Sequence, residues 1–236
     1  DHLQLLKQKG LETRIAALKM MANVGFGYTG SVLSALDILV TLYYGQNHDQ
    51  NILRFEQKKG GLDLQDYFVL SKVQAAPALY AILADLGFIA EDDLKYYAQV
   101  NSMLQASPNY KVPGVTVAGG TVGQGFSSAV GMAQAIKMDR GRNKVFTLIG
   151  DGELMSGQVW ESALHAVHHK LDNLIVIVDR NGIQLDGLVR NVMSMEPIAE
   201  KFDGMGWRTI NVFNGHSYDE LLWAFDKALR DRKSVV

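Results

Sequence analysis

The sequence predicts an α/β fold, a parallel sheet with helices on both faces. Three observations carry this. From residue 126 onward, helical and extended patterns alternate: helix 126–139, strand 144–149, helix 157–170, strand 174–179, helix 197–205, strand 208–213 and helix 217–231. Helices of that length between strands imply right-handed crossovers, which produce parallel strands. The run Val145-Phe146-Thr147-Leu148-Ile149 is almost continuously apolar, the pattern of a buried strand. Glycines also gather where strands give way to helices, at 119–125 and 150–152, the edge at which open parallel sheets bind ligands.

The amino-terminal part is mostly helical. Apolar residues recur at helical spacing from Leu3 to Met21, the break Gly25-Phe26-Gly27-Tyr28-Thr29-Gly30 follows, and a second helix runs from about Ser34 to Tyr44. A polar loop, 46–65, leads to the extended run Tyr67-Phe68-Val69-Leu70, a helix from Ala75 to Leu86, and a short helix from Glu91 to Val100. No repeat, low-complexity tract or linker interrupts the chain, so one domain over 1–236 is expected.

Composition excludes several classes. With 236 residues and 47% hydrophobic content, the chain can bury a sizeable core. A formal charge of −2 and the absence of a basic run argue against nucleic acid. No apolar run reaches the roughly 18 residues of a membrane span, and the charged, helical start is unlike a signal peptide, so a cytoplasmic protein is expected. With 0 cysteines, thiolate nucleophiles, disulfides and zinc-thiolate sites are out of reach, and a metal site must use oxygen or imidazole.

The stretch Leu148-Ile149-Gly150-Asp151-Gly152-Glu153 places a carboxylate between two glycines at the end of a buried strand, a costly position unless something pairs with it. A second polar turn, Asp179-Arg180-Asn181-Gly182-Ile183, ends the next strand. If helix 157–170 is a single crossover, Asp151 and Asn181 end adjacent strands. A carboxylate, an amide oxygen and main-chain carbonyls then converge, a hard-oxygen set suited to Mg²⁺ or Ca²⁺ bridging a diphosphate. Glycine there admits a bulky anion, and free amides at a helix start add donors. An ordinary turn closed by an Asx hydrogen bond remains the alternative. The cluster at 119–125 is no Walker motif, since no Lys-Ser or Lys-Thr follows it.

Gly-Asp-Gly followed about thirty residues later by Asn-Gly-Ile resembles the diphosphate-binding signature of thiamine diphosphate enzymes. Ser71-Lys72-Val73-Gln74-Ala75-Ala76-Pro77, Val112-Pro113-Gly114-Val115, Gly120-Thr121-Val122-Gly123-Gln124-Gly125 and Asn181-Gly182-Ile183-Gln184-Leu185-Asp186-Gly187 resemble transketolase, in particular the amino-terminal component of two-component transketolases. The resemblance spans roughly residues 10 to 231. It implies a thiamine diphosphate-binding fold in which Asp151, Asn181 and the carbonyl of Ile183 hold Mg²⁺ (or Ca²⁺). It also implies that Gly152 and neighbouring amides contact the diphosphate, with Gly150 and Glu153 among the cofactor-binding residues, while Gly120 and Val122 line the cofactor's path. The family's pyrimidine-binding module, which carries an activating glutamate, has no counterpart in this sequence. A partner subunit supplying it, in a heterotetramer, is therefore expected.

Departures from the family are informative. Transketolases usually present histidines to the sugar substrate at three places that here hold Phe26, Gln74 and Ser107; all six histidines lie elsewhere, at 2, 48, 165, 168, 169 and 216. Phe26 cannot hydrogen-bond through its side chain, and Gln74, the expected donor-side contact, does not titrate near neutrality. Ser156 stands where the family tends to have a glutamate. These changes suit an altered donor. The expected reaction is two-carbon transfer to an aldehyde or ketone acceptor. A 2-oxo acid decarboxylating carboligase is the mechanistic alternative, and a non-catalytic scaffold or regulatory subunit is the alternative of another class.

Among the remaining features, His165, His168 and His169 share a helix face but lack an acid at matching spacing, so packing or a subunit contact is favoured over a metal. Ser217 is the expected N-cap of the last helix with His216 part of the same cap. Asp179-Arg180 reads as a structural ion pair, and Trp160 and Tyr80 as core or interface residues.

Overall fold

The computed structural model describes residues 2–48, 50–58, 61–64 and 66–231. The chain divides into two compact units, 1–65 with 73–118 and 212–226, and 66–72 with 119–211 and 227–236.

The first unit is built on three helices, α1 (His2–Val24), α2 (Thr29–Tyr44) and α3 (Ala76–Asp85), each packed against the other two. In α1 the buried residues Leu6, Gly10, Thr13, Ala17 and Met20 recur every three or four positions, which turns one stripe inward. α2 is apolar around most of its circumference, and residues 35–43 are buried throughout, as befits the central helix. It starts before the expected Ser34, because Gly30 falls in its first turn, where a glycine does not end a helix. Pro77 lies in the first turn of α3, where its missing N–H is not needed. The predicted loop 46–65 contains two short hairpins, β1 (Gln46–Asn47) with β2 (Gln50–Asn51) and β3 (Phe55–Lys58) with β4 (Gly61–Leu64). The expected helix from Glu91 is a 3₁₀ segment, Glu91–Tyr96.

A buried carboxylate ties this unit together. Asp37 of α2 receives Arg14 Nη2 at 3.1 Å on both oxygens, the Tyr218 hydroxyl at 2.7 Å, and lies 2.7 Å from His216 Nδ1. Gly10 is the residue in α1 that makes room: a Cβ there would stand 2.0 Å from the Tyr218 hydroxyl oxygen. His216 thus does more than cap, although Ser217 does accept the Glu220 amide at 3.4 Å as an N-cap would.

The second unit contains a parallel sheet in the order β5 (Tyr67–Leu70), β6 (Val145–Gly150), β7 (Leu174–Asp179), with Val69, Thr147 and Val176 in register. All of β6 is buried, which explains its almost continuously apolar run. Helix α4 (Gln124–Met138) packs on the sheet and on α5 (Gly157–His168), the crossover from β6 to β7. The predicted loop 181–196 holds a small hairpin, β8 (Ile183–Gln184) with β9 (Gly187–Leu188), and a short helix, α6 (Val189–Val192). Helix α7 (Ile198–Met205) places Phe202 among Trp160 and Trp207, with ring centroids 5.4 and 5.6 Å away. The indole of Trp160 donates to the Leu154 carbonyl at 2.6 Å, and the buried Tyr80 of α3 donates to the Gln105 carbonyl at 2.8 Å in the first unit.

The predicted strand 208–213 is not formed. Only Arg208 makes an isolated bridge, and Phe213 is 96% exposed. Its residues have strand composition, but strand propensity acts through neighbours and burial, and beyond the bridge at Arg208 the stretch forms no ladder, with Arg208, Asn211 and Phe213 exposed. The final helix, α8 (Tyr218–Arg230), matches the expectation within a residue at each end.

Candidate cofactor site

Gly150, the last residue of β6, pairs in register with Asp179, the last of β7. The chain leaves both strands at the same level, so Asp151 and the turn 180–183 emerge side by side. Asp151 Oδ2 accepts the Gly182 amide at 2.7 Å, and Oδ1 accepts the Gly152 amide at 2.9 Å. Asn181 Oδ1 receives the Ile183 amide at 2.9 Å, an Asx turn that orients the carbonyls of the loop. Asp151 and the Asn181–Ile183 turn therefore come together as the sequence leads one to expect. The Asx bond belongs to Asn181, whereas Asp151 reaches across to the neighbouring strand's turn.

The electrostatics ask for a cation. Burial pushes the Asp151 carboxyl above the ordinary carboxylate range, only partly opposed by the Gly182 and Gly152 amides, with the Asp179 charge adding in the same direction as burial. Asp151, Glu153 and Asp179 are buried carboxylates of the second unit, and Lys72 is a buried ammonium there. Lys72 Nζ lies 2.5 Å from Asp179 Oδ2. A divalent cation would offset the cost of burying the Asp151 charge, and the Asp151 carboxylate, the Asn181 amide oxygen and the Ile183 carbonyl are the hard ligands it prefers. The residues present fit such an ion.

The glycine turn 119–123 enters α4 beside this point. Gly123 takes the left-handed conformation, φ 81°, that starts the helix. Gly125 lies against β5's exit so closely that a Cβ would stand 2.6 Å from Ser71 Cα. Gly125→Ala is expected to cost about 1–3 kcal/mol by forcing α4 off the sheet, measured as a lower midpoint of chemical denaturation; an unchanged midpoint would refute the contact. Gly120 and Val122 are exposed in the same turn. Gly152 is close to Gln184 of β8, whose Cβ is 3.0 Å from a Cβ built at 152.

Glu153 is placed differently from a ligand. Its carboxylate is directed into the protein, with both oxygens engaged by protein donors. What it can offer a cofactor is its main chain. Gln74 is half-buried in the 3₁₀ turn Val73–Ala75 of the first unit. Phe26, in that unit, has its ring 6.0 Å from Tyr28 and 6.4 Å from Tyr97, which places it in an aromatic cluster.

Other expectations change. Asp179 and Arg180 do not pair with each other: Asp179 binds Lys72, and Arg180 pairs with Glu196. Successive residues at a strand end point apart, so each finds its own partner. The rings of His165 and His169 lie 4.3 Å apart and those of His168 and His169 4.9 Å, with His165 Nε2 2.5 Å from Gln134 Oε1. Among the described residues no group of three or more His, Cys, Asp or Glu is placed to hold a metal ion, which sets the histidine face aside as a metal site. Sequence reasoning missed the Lys72 and Glu153 bonds; Lys72 directly after the apolar strand Tyr67–Leu70 and Ser71 was the available signal.

A parallel sheet with an acid-and-amide pair at the ends of adjacent strands, and a glycine turn opening a helix beside it, defines a diphosphate-binding α/β module. The family described as transketolase, thiamine diphosphate binding domain, matches residues 7–236. The chain belongs to the transketolase family of transferases. A 6-deoxy-6-sulfo-D-fructose transketolase subunit from Clostridium sp. (strain MSTE9) is 35% identical over 92% of this chain and 77% of its own length. An apulose-4-phosphate transketolase subunit from Phocaeicola vulgatus is 33% identical over 94% of this chain and 77% of its own. Human transketolase is 34% identical over 99% of this chain but only 37% of its own length. The crystal structure of transketolase from Campylobacter jejuni superposes with a TM-score of 0.84 at 31% identity, covering 98% of this chain and 37% of that one. The chain thus spans little more than a third of the length of these two transketolases. No helix among the described residues is long and apolar enough to cross a membrane.

Proposed function

We propose that the chain is the diphosphate-binding subunit of a two-component, transketolase-like enzyme that transfers a two-carbon unit from a donor to an aldehyde or ketone acceptor. The observation that carries this reading is the bond from the Gly182 amide to Asp151 Oδ2 across adjacent strand ends, which brings the acid and the Asn181–Ile183 turn to one point. The relatives named as subunits, matched over most of their length, support it. The chain acts as one diphosphate-binding module, and its cytoplasmic partner supplies the pyrimidine-binding half and the activating glutamate, in a heterotetramer.

Asp151, Asn181 and the Ile183 carbonyl would hold Mg²⁺ or Ca²⁺. Gly152, with no side chain, would leave room for the diphosphate beside Asp151, and Gly120 and Val122 would flank the bound cofactor. When bound, thiamine diphosphate supplies the carbon chemistry; the residues of this chain supply position and charge. Gln74 is the donor-side contact, giving hydrogen bonds without exchanging a proton near neutral pH.

The aromatic contacts of Phe26 favour one second reading. A ketose donor must lose a hydroxyl proton, a natural task for histidine, whereas a 2-oxo acid loses CO₂ and needs no such base. The complex should be assayed with thiamine diphosphate and Mg²⁺ on ketose phosphates and on pyruvate while CO₂ is monitored. Ketose turnover without CO₂ is the expected result. CO₂ release without ketose turnover would replace transketolase-type transfer by decarboxylating carboligation.

A further inference from the structure

We infer that Glu153 is a positioning residue, whose buried carboxylate locks the ends of β5 and β6 and the glycine turn before α4 into one arrangement without touching the cofactor. Its Oε1 accepts the Ser71 hydroxyl at 2.7 Å and the Gly123 amide at 3.0 Å, while Oε2 accepts the Gly150 amide at 2.8 Å. The three donors lie 82, 30 and 3 positions away in sequence. Ser71 Oγ in turn accepts the Phe126 amide at 3.2 Å, which extends the chain of bonds into the first turn of α4.

All three segments meeting at Glu153 bear on the site. Gly123 closes the turn that contains Gly120 and Val122, Gly150 precedes Asp151, and Ser71 is the residue against which Gly125 seats α4. A carboxylate is suited to the junction because both oxygens only accept. Glutamine would turn an NH₂ group toward an N–H or O–H donor and leave buried groups without partners, a costly outcome. Glu153 is 7% exposed, so water cannot readily take the place of a lost partner. Neutral donors from three segments hold the carboxylate, which is the mark of a structural junction rather than a ligand.

This assignment rests on the proposed function, since it concerns the shape of the same cofactor site. The chain purified with its partner subunit should be titrated calorimetrically with Mg²⁺-thiamine diphosphate and with Mg²⁺-pyrophosphate, as wild type, Glu153→Gln and Ser71→Ala. For Glu153→Gln, Kd for both probes should rise about tenfold or more, the scale of one lost charge-assisted hydrogen bond, and kcat at saturating cofactor should stay within about threefold of wild type. Ser71→Ala should show a smaller rise of the same kind, and it decides the matter if Glu153→Gln does not fold. An unchanged Kd in a variant that merely melts earlier overturns the inference. So does a collapse of kcat at saturating cofactor, which would make Glu153 a direct participant. Failure of the wild-type complex to bind thiamine diphosphate would instead remove the proposed function itself.

Discussion

Replacing Asp151 by alanine is expected to weaken Mg²⁺-dependent binding of thiamine diphosphate more than about 100-fold, beyond the 10–100-fold typical of removing a residue that only supports a ligand. Activity of the complex should fall to background. Asp151 is the charged member of the oxygen set, and its side chain is 2% exposed with burial already driving its carboxyl upward. An acid held in that state is stabilised when a cation arrives, and without it the cation loses its one anionic protein ligand. The folding consequence is small by comparison. Alanine removes the burial penalty of the carboxylate but leaves the Gly152 and Gly182 amides without their acceptor, opposing effects of about 1–3 kcal/mol each. The cofactor-free melting temperature should therefore shift by only a few degrees. Calorimetric titration and a thermal melt of the same preparation separate the two effects. Full activity of Asp151→Ala would favour a scaffold subunit that has kept the fold without the chemistry.

The parts of this site that could be read in the sequence are those encoded locally. β6 and β7 announce themselves by largely apolar runs, because strands of a parallel sheet are mostly buried. Gly-Asp-Gly and Asn-Gly-Ile could be placed together because one helix separates the strands they follow. What escaped reading was set by pairing at a distance. Glu153 reads as a cofactor contact when only its neighbours are known, and its engagement with Ser71, 82 positions away, appears only once β5 lies beside β6. Lys72 and Asp179, 107 positions apart, likewise carry no periodic signature, so sequence adjacency points Asp179 to Arg180 instead. The segment 208–213 has the composition of a strand but forms only an isolated bridge at Arg208. Local chemistry thus singled out the candidate ligands, while the bonds that hold these residues in place depend on the sheet.

The largest stability effect is expected at Lys72. Its Nζ lies 2.5 Å from Asp179 Oδ2, and the two side chains are 6% and 5% exposed. Lys72→Met leaves a buried carboxylate without its ammonium and should cost about 3–5 kcal/mol, a fall of roughly 10 °C in melting temperature for a chain of this size. The double variant Lys72→Met/Asp179→Leu should recover most of that loss, because an apolar pair of similar volume often replaces a buried ion pair without penalty. Such recovery would show that the pair is not needed for stability as such. Asp179 ends β7 in register with Gly150, and the Lys72 stem runs beside Gly150 at 3.5 Å from a Cβ built there, so the ion pair fixes both strand ends that lead into the site. The stable double variant should consequently bind thiamine diphosphate more weakly than wild type. Lys72→Met melting at the wild-type temperature would show that Asp179 does not depend on this ammonium. A double variant with wild-type stability and wild-type affinity would show that the pair has no part in shaping the site.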